Sequence, residues 1–325
     1  MSRNMELVAV MPMKPQGGDQ FRTTYVDYQD GTTTKRKHLV VFAHETVIGD
    51  PLGTEYVGKT CIRIADVTDP RNPKSDYLRI YVRGNAGESP NPLGNINHPV
   101  VYRDERAPTE ETFRGDVFLI GWCGGHYNHH GGLPVAIDSS GVGDTTDAKA
   151  RFLVFNLSRA VQMCEDENPN ATRHQIEVIN AGLRNVSYGY NGGSPASIDD
   201  GNVYVGYVPS DYEWHVKDRH TPADRRHQQD PHGMSIDQQA AFMTFSTHQW
   251  HSSTANGQRA FLDCFDLLQL ADIPVVNNTT STPTIVDRLM MEDPDNNQAT
   301  IPILLPTFTD NSLDYTSNAH DVDID

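Results

Sequence analysis

The sequence predicts an all-β fold, a β-propeller with about four to five recognisable blades. Three observations point there. A short phrase recurs: a turn residue or two, a head residue, a short apolar strand, then a carboxylate at a tight turn. It is seen as His98-Pro99-Val100-Val101-Tyr102-Arg103-Asp104, Ser194-Pro195-Ala196-Ser197-Ile198-Asp199-Asp200, His232-Gly233-Met234-Ser235-Ile236-Asp237 and His320-Asp321-Val322-Asp323-Ile324-Asp325. After three of the four copies a second apolar strand follows, over 116–122, 202–208 and 241–247, as in the inner hairpin of a blade. Strands do not alternate with helices as in βαβ units, which argues against a doubly wound α/β fold.

Taken in order, residues 1–37 read as an N-terminal arm and loop, polar and rich in Thr and Lys, with 38–325 forming the propeller domain. His38–His44 (HLVVFAH), Cys61–Val67 (CIRIADV) and Tyr77–Val82 read as the outer strands of a first blade that lacks an inner one. The strand His320–Asp325 is expected to fill that place beside His38–His44 and close the ring, since pairing strands from the two chain ends removes exposed sheet edges. The second blade takes 98–104, 116–122, 152–157 and 175–180, with a short helix over 157–165 and a long Gly/His/Asp-rich loop over 123–149. The third opens at Ser194, runs through 202–208 and dissolves into the charged stretch 211–230. The fourth takes 232–237, 241–247, 259–266 and 284–289, and its CFDLLQLADIP repeats the strand-then-helix ending of the second. Residues 292–318, with Ile301–Leu305, are a reduced fifth blade or an insertion. Head spacing is irregular against a repeat of about 40 to 50 residues, and a second chain or homo-oligomer completing the ring is the rival organisation.

The net charge of -17 argues against a nucleic-acid partner. No apolar run reaches the roughly 18 residues of a membrane span, and Met1–Lys14 lacks the order of a signal peptide. A cytoplasmic protein acting on a small molecule is the default expectation, a removed leader the alternative. The four cysteines form no CxxC pair; three lie in apolar runs, and Cys123, in GWCGGH, is a candidate ligand.

The chemistry is in the histidines. His98, His232 and His320 are heads, brought toward one axis if the heads belong to inner strands. His126, His129 and His130 lie in a glycine-flanked run, with His126 a further ligand and His129 and His130 the candidate catalytic pair. His215, His220 and His227 alternate with Arg and Asp and read as a solvated loop; His38 and His44 read as edge or packing residues. Neutral imidazoles without many carboxylates suit copper, iron or zinc rather than calcium or magnesium. Asp66 and Asp266, at strand ends, read as turn caps; Tyr188, Tyr190, Tyr204 and Tyr207 read as core or as a substrate mouth. The alternative for every head is a histidine merely tolerated at a turn.

Asp230-Pro231-His232-Gly233 ahead of an inner strand resembles the copper-dependent propellers: the nitrous oxide reductase propeller domain and the selenium-binding-protein-like methanethiol oxidases. His129-His130 resembles the His-His pair of the former, and the DPRNPK of 69–74 resembles the outer part of a propeller blade. The resemblance implies an axial histidine site for a transition metal, copper before iron or zinc. The chain departs from it in being shorter, in lacking a cupredoxin domain, and in following the His pair with Gly-Gly-Leu-Pro. Three classes of function therefore stand open: a metal-dependent oxidoreductase, a polysaccharide lyase or hydrolase with a histidine/tyrosine cleft, and a non-catalytic binding platform.

Overall fold

The computed structural model describes residues 7–10, 21–44, 60–82, 96–123, 151–178, 186–193, 196–198, 202–209, 229–239, 241–249, 261–275, 288–293 and 296–304. These are mostly strands, so the all-β expectation holds. The strands are β1 (Phe21–Asp30), β2 (Thr33–His44), β3 (Thr60–Asp66), β4 (Lys74–Val82), β5 (Ile96–Arg103), β6 (Val117–Cys123), β7 (Arg151–Asn156), β8 (His174–Val178), β9 (Val186–Tyr190), β10 (Ala196–Ile198), β11 (Tyr204–Pro209), β12 (Gln229–Asp237), β13 (Phe242–Gln249), β14 (Phe261–Asp266), β15 (Arg288–Asp293) and β16 (Asn296–Leu304). They form three sheets: β1-β2-β3-β4-β8-β9-β10, β11-β7-β6-β5, and β12-β13-β14-β15-β16.

The middle sheet explains how the three go together. Side chains alternate along a strand, so a strand apolar at every position must be covered on both faces. On β6, Val117 and Leu119 enter one core while Phe118 and Ile120 enter another. Phe155 and Val154 on β7 divide the same way, as do Tyr204 and Val205 on β11. The first core is closed from the other side by Val26, Leu39, Val41, Ile62, Ile64, Leu78, Ile80 and Ile176 of the first sheet. The second is closed by Phe265 and Leu267 at the end of β14 and by Leu270 and Ala271 of the short helix α2 (Leu268–Asp272). The sheets thus stack in series, each face of the middle one buried by a neighbour.

Helix α1 (Leu157–Glu167) plugs the first core. Its buried residues Leu157, Ala160, Val161 and Cys164 fall at i, i+3, i+4 and i+7, one helical stripe, and Asn156 caps it by accepting from the Arg159 N–H. The two carboxylates read as turn caps act as such: Asp66 Oδ1 accepts from the Thr68 N–H and Asp266 Oδ1 from the Leu268 N–H, each at 2.9 Å.

Five expectations are corrected. Residues 21–37 are not an arm, because Phe21–Asp30 is a strand turned onto β2 through a two-residue hairpin with Gly31 at φ 62°. β2 carries β1 on one side and β3 on the other across Leu39–Phe42, so both its edges are taken where the C-terminal strand was expected; His320–Asp325 itself lies outside the described residues. The fourth strand of the second blade, β8, instead pairs in parallel with β4 of the first sheet, and β11 takes its place beside β7. The third blade is no unit, for β10 joins the first sheet and β11 the second. Ile301 belongs to β16, which pairs with β14 and β15 and widens the third sheet rather than beginning a fifth blade.

One buried group makes the first core sensitive to acid. His174 is fully buried, its Nδ1 2.8 Å from Tyr188 Oη and its ring edge-on to Tyr77. Burial, with the charges of Lys74 and Lys37, lowers its pKa from 6.5 to about 4. Below 6.5 the unfolded chain takes up a proton that the folded ring refuses, so stability is full above that pH and falls as the pH drops toward 4. The 2.5-unit gap corresponds to about 3 kcal/mol. Urea titrations of wild type and His174→Phe between pH 7 and 4.5 should show the wild type losing more stability over the interval. Parallel losses would contradict a neutral buried imidazole.

Candidate functional site

The predicted head strands 98–104 and 232–237 overlap β5 and β12, which begin two and three residues earlier. In β5 the register with β6 slips between Asn97↔Trp122 and Val100↔Ile120, so His98 and Pro99 stand opposite Gly121 alone. In β12 the register with β13 slips between Pro231↔Thr247 and Met234↔Phe245, so His232 and Gly233 stand opposite Ser246 alone. Each histidine is thus the first residue of a two-against-one bulge, a device that bends a strand and re-aims side chains beside sites. Proline, lacking an N–H, suits such a place on an edge strand, and both strands are sheet edges. Each strand also runs into an Asp that caps the turn after it: Asp104 Oδ1 accepts from the Arg106 N–H at 3.4 Å and Asp237 Oδ1 from the Gln239 N–H at 2.8 Å.

The two strands lie against each other and end together. The Arg103 N–H donates to Gln238 Oε1 at 3.1 Å, and Gln238 Nε2 donates back to the Arg103 carbonyl. Val100 and Tyr102 of β5 and Ile236 of β12 share the second core. Neighbouring strands that end together run the same way, so His98 and His232 lie at one end of the stack, roughly 17 to 20 Å up-strand of that junction at about 3.3 Å per residue.

Several strand ends meet at this same end. Cys123 closes β6 opposite Ile96 of β5 and Arg151 of β7. Pro209 closes β11 opposite Arg151, and Gln229 opens β12 opposite Gln249 of β13. His248 lies within β13 at the register position opposite Asp230. Among the described residues, His98, His232 and His248 are therefore in strands at the head end.

His126, His129, His130 and His320 lie outside the described residues, and for His98 and His232 the strand positions are established. Among the described residues no group of three or more His, Cys, Asp or Glu is gathered to hold a metal ion. His38 is exposed, but on the interior strand β2 rather than at an edge, with its ring 6.2 Å from that of Tyr25 across the ladder. Tyr188 and Tyr204 are core: the first faces His174, the second packs 5.5 Å from Phe155. The sequence reading placed His248 after a strand instead of in one, and it missed His174 and a group of buried arginines in the first sheet. Alternation of HQIEV was the available signal for β8, since it puts His174 and Ile176 on the same apolar face. No protein-family model, curated protein or solved structure shows significant similarity to this chain.

Proposed function

We propose that the head end of this chain holds a transition metal ion, copper before iron or zinc, and that the protein is a metal-dependent oxidoreductase of the propeller kind acting on a small molecule. The observation that carries this reading is the position of His98 and His232 at equivalent bulges on adjacent strands, with His248 in the strand paired with β12. The donor set fits: imidazoles suit borderline ions. His98 and His232 would supply two ligands, and His126 and His320 are the further candidates, leaving His129 and His130 to face substrate. Such an ion supplies an electron-transfer centre with a position open for substrate. The chain's own contribution is to fix the ligand-bearing backbone at bulges on rigid strands, where positions are more exact than on loops. Serial sheets with β5 and β12 as adjacent edge strands support the propeller arrangement.

The test is the metal content of untagged protein purified without added metal. About one equivalent of copper is expected, a single catalytic ion. His98→Ala and His232→Ala should each lose at least about half of it with unchanged circular dichroism, as loss of one ligand weakens a site strongly; His38→Ala should lose none. A metal-free wild type, or full occupancy in His232→Ala, overturns the reading.

A further inference from the structure

The face of the first sheet turned away from the first core carries an arrangement that the metal site does not use. Arg63 on β3 and Arg79 on β4 stand directly opposite each other in the ladder. Like charges in that relation repel, yet both side chains are buried, 7% and 3% exposed. Arg173, just ahead of β8, comes to the same place. All three guanidinium groups face one carboxylate, Asp76. Arg79 takes it in a forked pair, Nε to Oδ1 at 2.6 Å and Nη2 to Oδ2, and also donates to Tyr81 Oη at 3.1 Å. Arg63 Nε stands off at 3.5 Å and Arg173 Nη1 at 3.6 Å. The Nε–H groups of Arg63 and Arg173 are buried with no hydrogen-bond partner. Glu177, opposite Tyr81 in the β4–β8 ladder, is the other buried carboxylate of this face.

Asp76 takes Arg79 in a forked pair but holds Arg63 and Arg173 only at ion-pair distance, so it neutralises charge without satisfying the other two forks. Burial would raise its pKa, but the hydrogen bond from Arg79 and the charges of Arg79, Arg63 and Arg173 hold it below its ordinary value, so it stays an anion. A guanidinium fork matches two oxygens of a carboxylate or phosphate. The cluster is open on one side, where Asp76 and Arg173 are each about a quarter exposed. The turn Asn191–Gly193 lies beside it: Asn191 Oδ1 accepts from the Thr172 N–H and hydroxyl at 2.9 Å, and a Cβ at Gly192, whose φ is +82°, would come within 3.2 Å of Arg173 Nη2. The turn therefore fixes Arg173 at the opening.

We propose that Arg63 and Arg173, beside the Arg79–Asp76 pair, form a binding site for a small oxyanion, a phosphate or a carboxylate, which takes their unpartnered Nε–H donors. This rests on the first sheet alone and is independent of the metal reading. Isothermal titration of the full chain with inorganic phosphate, and separately with succinate, at constant ionic strength set by chloride, tests it. One saturable site for at least one of the two is expected; phosphate alone or succinate alone then names the ligand class. Arg63→Gln and Arg173→Gln should each weaken that binding at least about tenfold, the loss of a charge-assisted pair, and Arg173→Lys should weaken it too, because a point charge lacks the fork. Arg114→Gln, in the exposed pair with Asp272, should bind as wild type. Arg173 is partly exposed, so its variants carry the test if Arg63→Gln does not fold. Absence of saturable binding for both anions, or wild-type affinity in the Arg173 variants, overturns the proposal.

Discussion

Lys37→Met should cost about 3 to 5 kcal/mol of folding stability, the penalty for leaving buried charge without its partner. Lys37 Nζ is 3.0 Å from Asp66 Oδ2 and 3.4 Å from Glu165 Oε1, and all three side chains are at least nine-tenths buried. Glu165 Oε1 also accepts from Tyr77 Oη at 2.9 Å. Burial would lower the lysine pKa, but the hydrogen bond and charge of Asp66, with the charge of Glu165, raise it above its ordinary value. For Asp66 burial works upward, yet bonds from Thr68 and Lys37 leave its pKa lowered. Both partners are thus ionised at neutral pH, and one ammonium serves two carboxylates from β3 and α1. Methionine keeps the length of the stem and none of the charge, so two carboxylates face each other in an apolar core. The loss, read by urea denaturation at pH 7, should shrink as the pH falls through the lowered pKa of Asp66, because protonating Asp66 relieves the repulsion. A loss under about 1 kcal/mol, as for an exposed pair, would contradict the burial of this junction between α1 and the first sheet.

Phe118→Ala and Phe155→Ala should each cost about 3 to 5 kcal/mol, the usual price of emptying a core phenylalanine. They are neighbours in the middle sheet but serve opposite faces. Phe118 lies 6.1 Å from Tyr102 and 6.5 Å from Phe113, in the second core. Phe155 lies 5.5 Å from Tyr204, in the first. With no shared cavity the two losses should add to within about 0.5 kcal/mol, and together they approach the whole stability of a typical domain, about 5 to 15 kcal/mol. Urea midpoints of the two single variants and the double variant give the three numbers. If either single change costs less than about 1 kcal/mol, that face of the middle sheet is not packed and the serial stack is wrong.

Much of the strand content was legible because alternation and turn residues mark it directly. The fourth blade was read as 232–237, 241–247, 259–266 and 284–289, and β12 to β15 follow in that order as an antiparallel meander. The helix after VFNL was legible from its apolar stripe. β1 was not, since only Val26 and Tyr28 of its ten residues are buried and the rest face water, so its composition is that of a loop; the Asp30-Gly31 turn was the signal passed over. The placement of β8 was not legible either. Its alternation makes it a strand, but whether it lies beside β7 or β4 depends on which edge is free, a property of the assembled sheets. The recurring phrase identified the heads at 98 and 232. That both sit in bulges on adjacent strands needed strand register, which a single sequence does not carry. The Ser194 phrase has the same pattern and no such geometry, because its two strands part to different sheets.

The central claim is that His98 and His232 bind one transition metal ion at the head end. Metal-edge X-ray absorption on untagged protein tests it most directly. The account predicts nitrogen scatterers near 2.0 to 2.1 Å with the outer-shell pattern of imidazole, and the loss of at least two imidazoles' worth of that pattern, together with most of the metal, in the His98→Ala/His232→Ala double variant. An ion held by oxygen alone, or an unchanged imidazole pattern in the double variant, would contradict it.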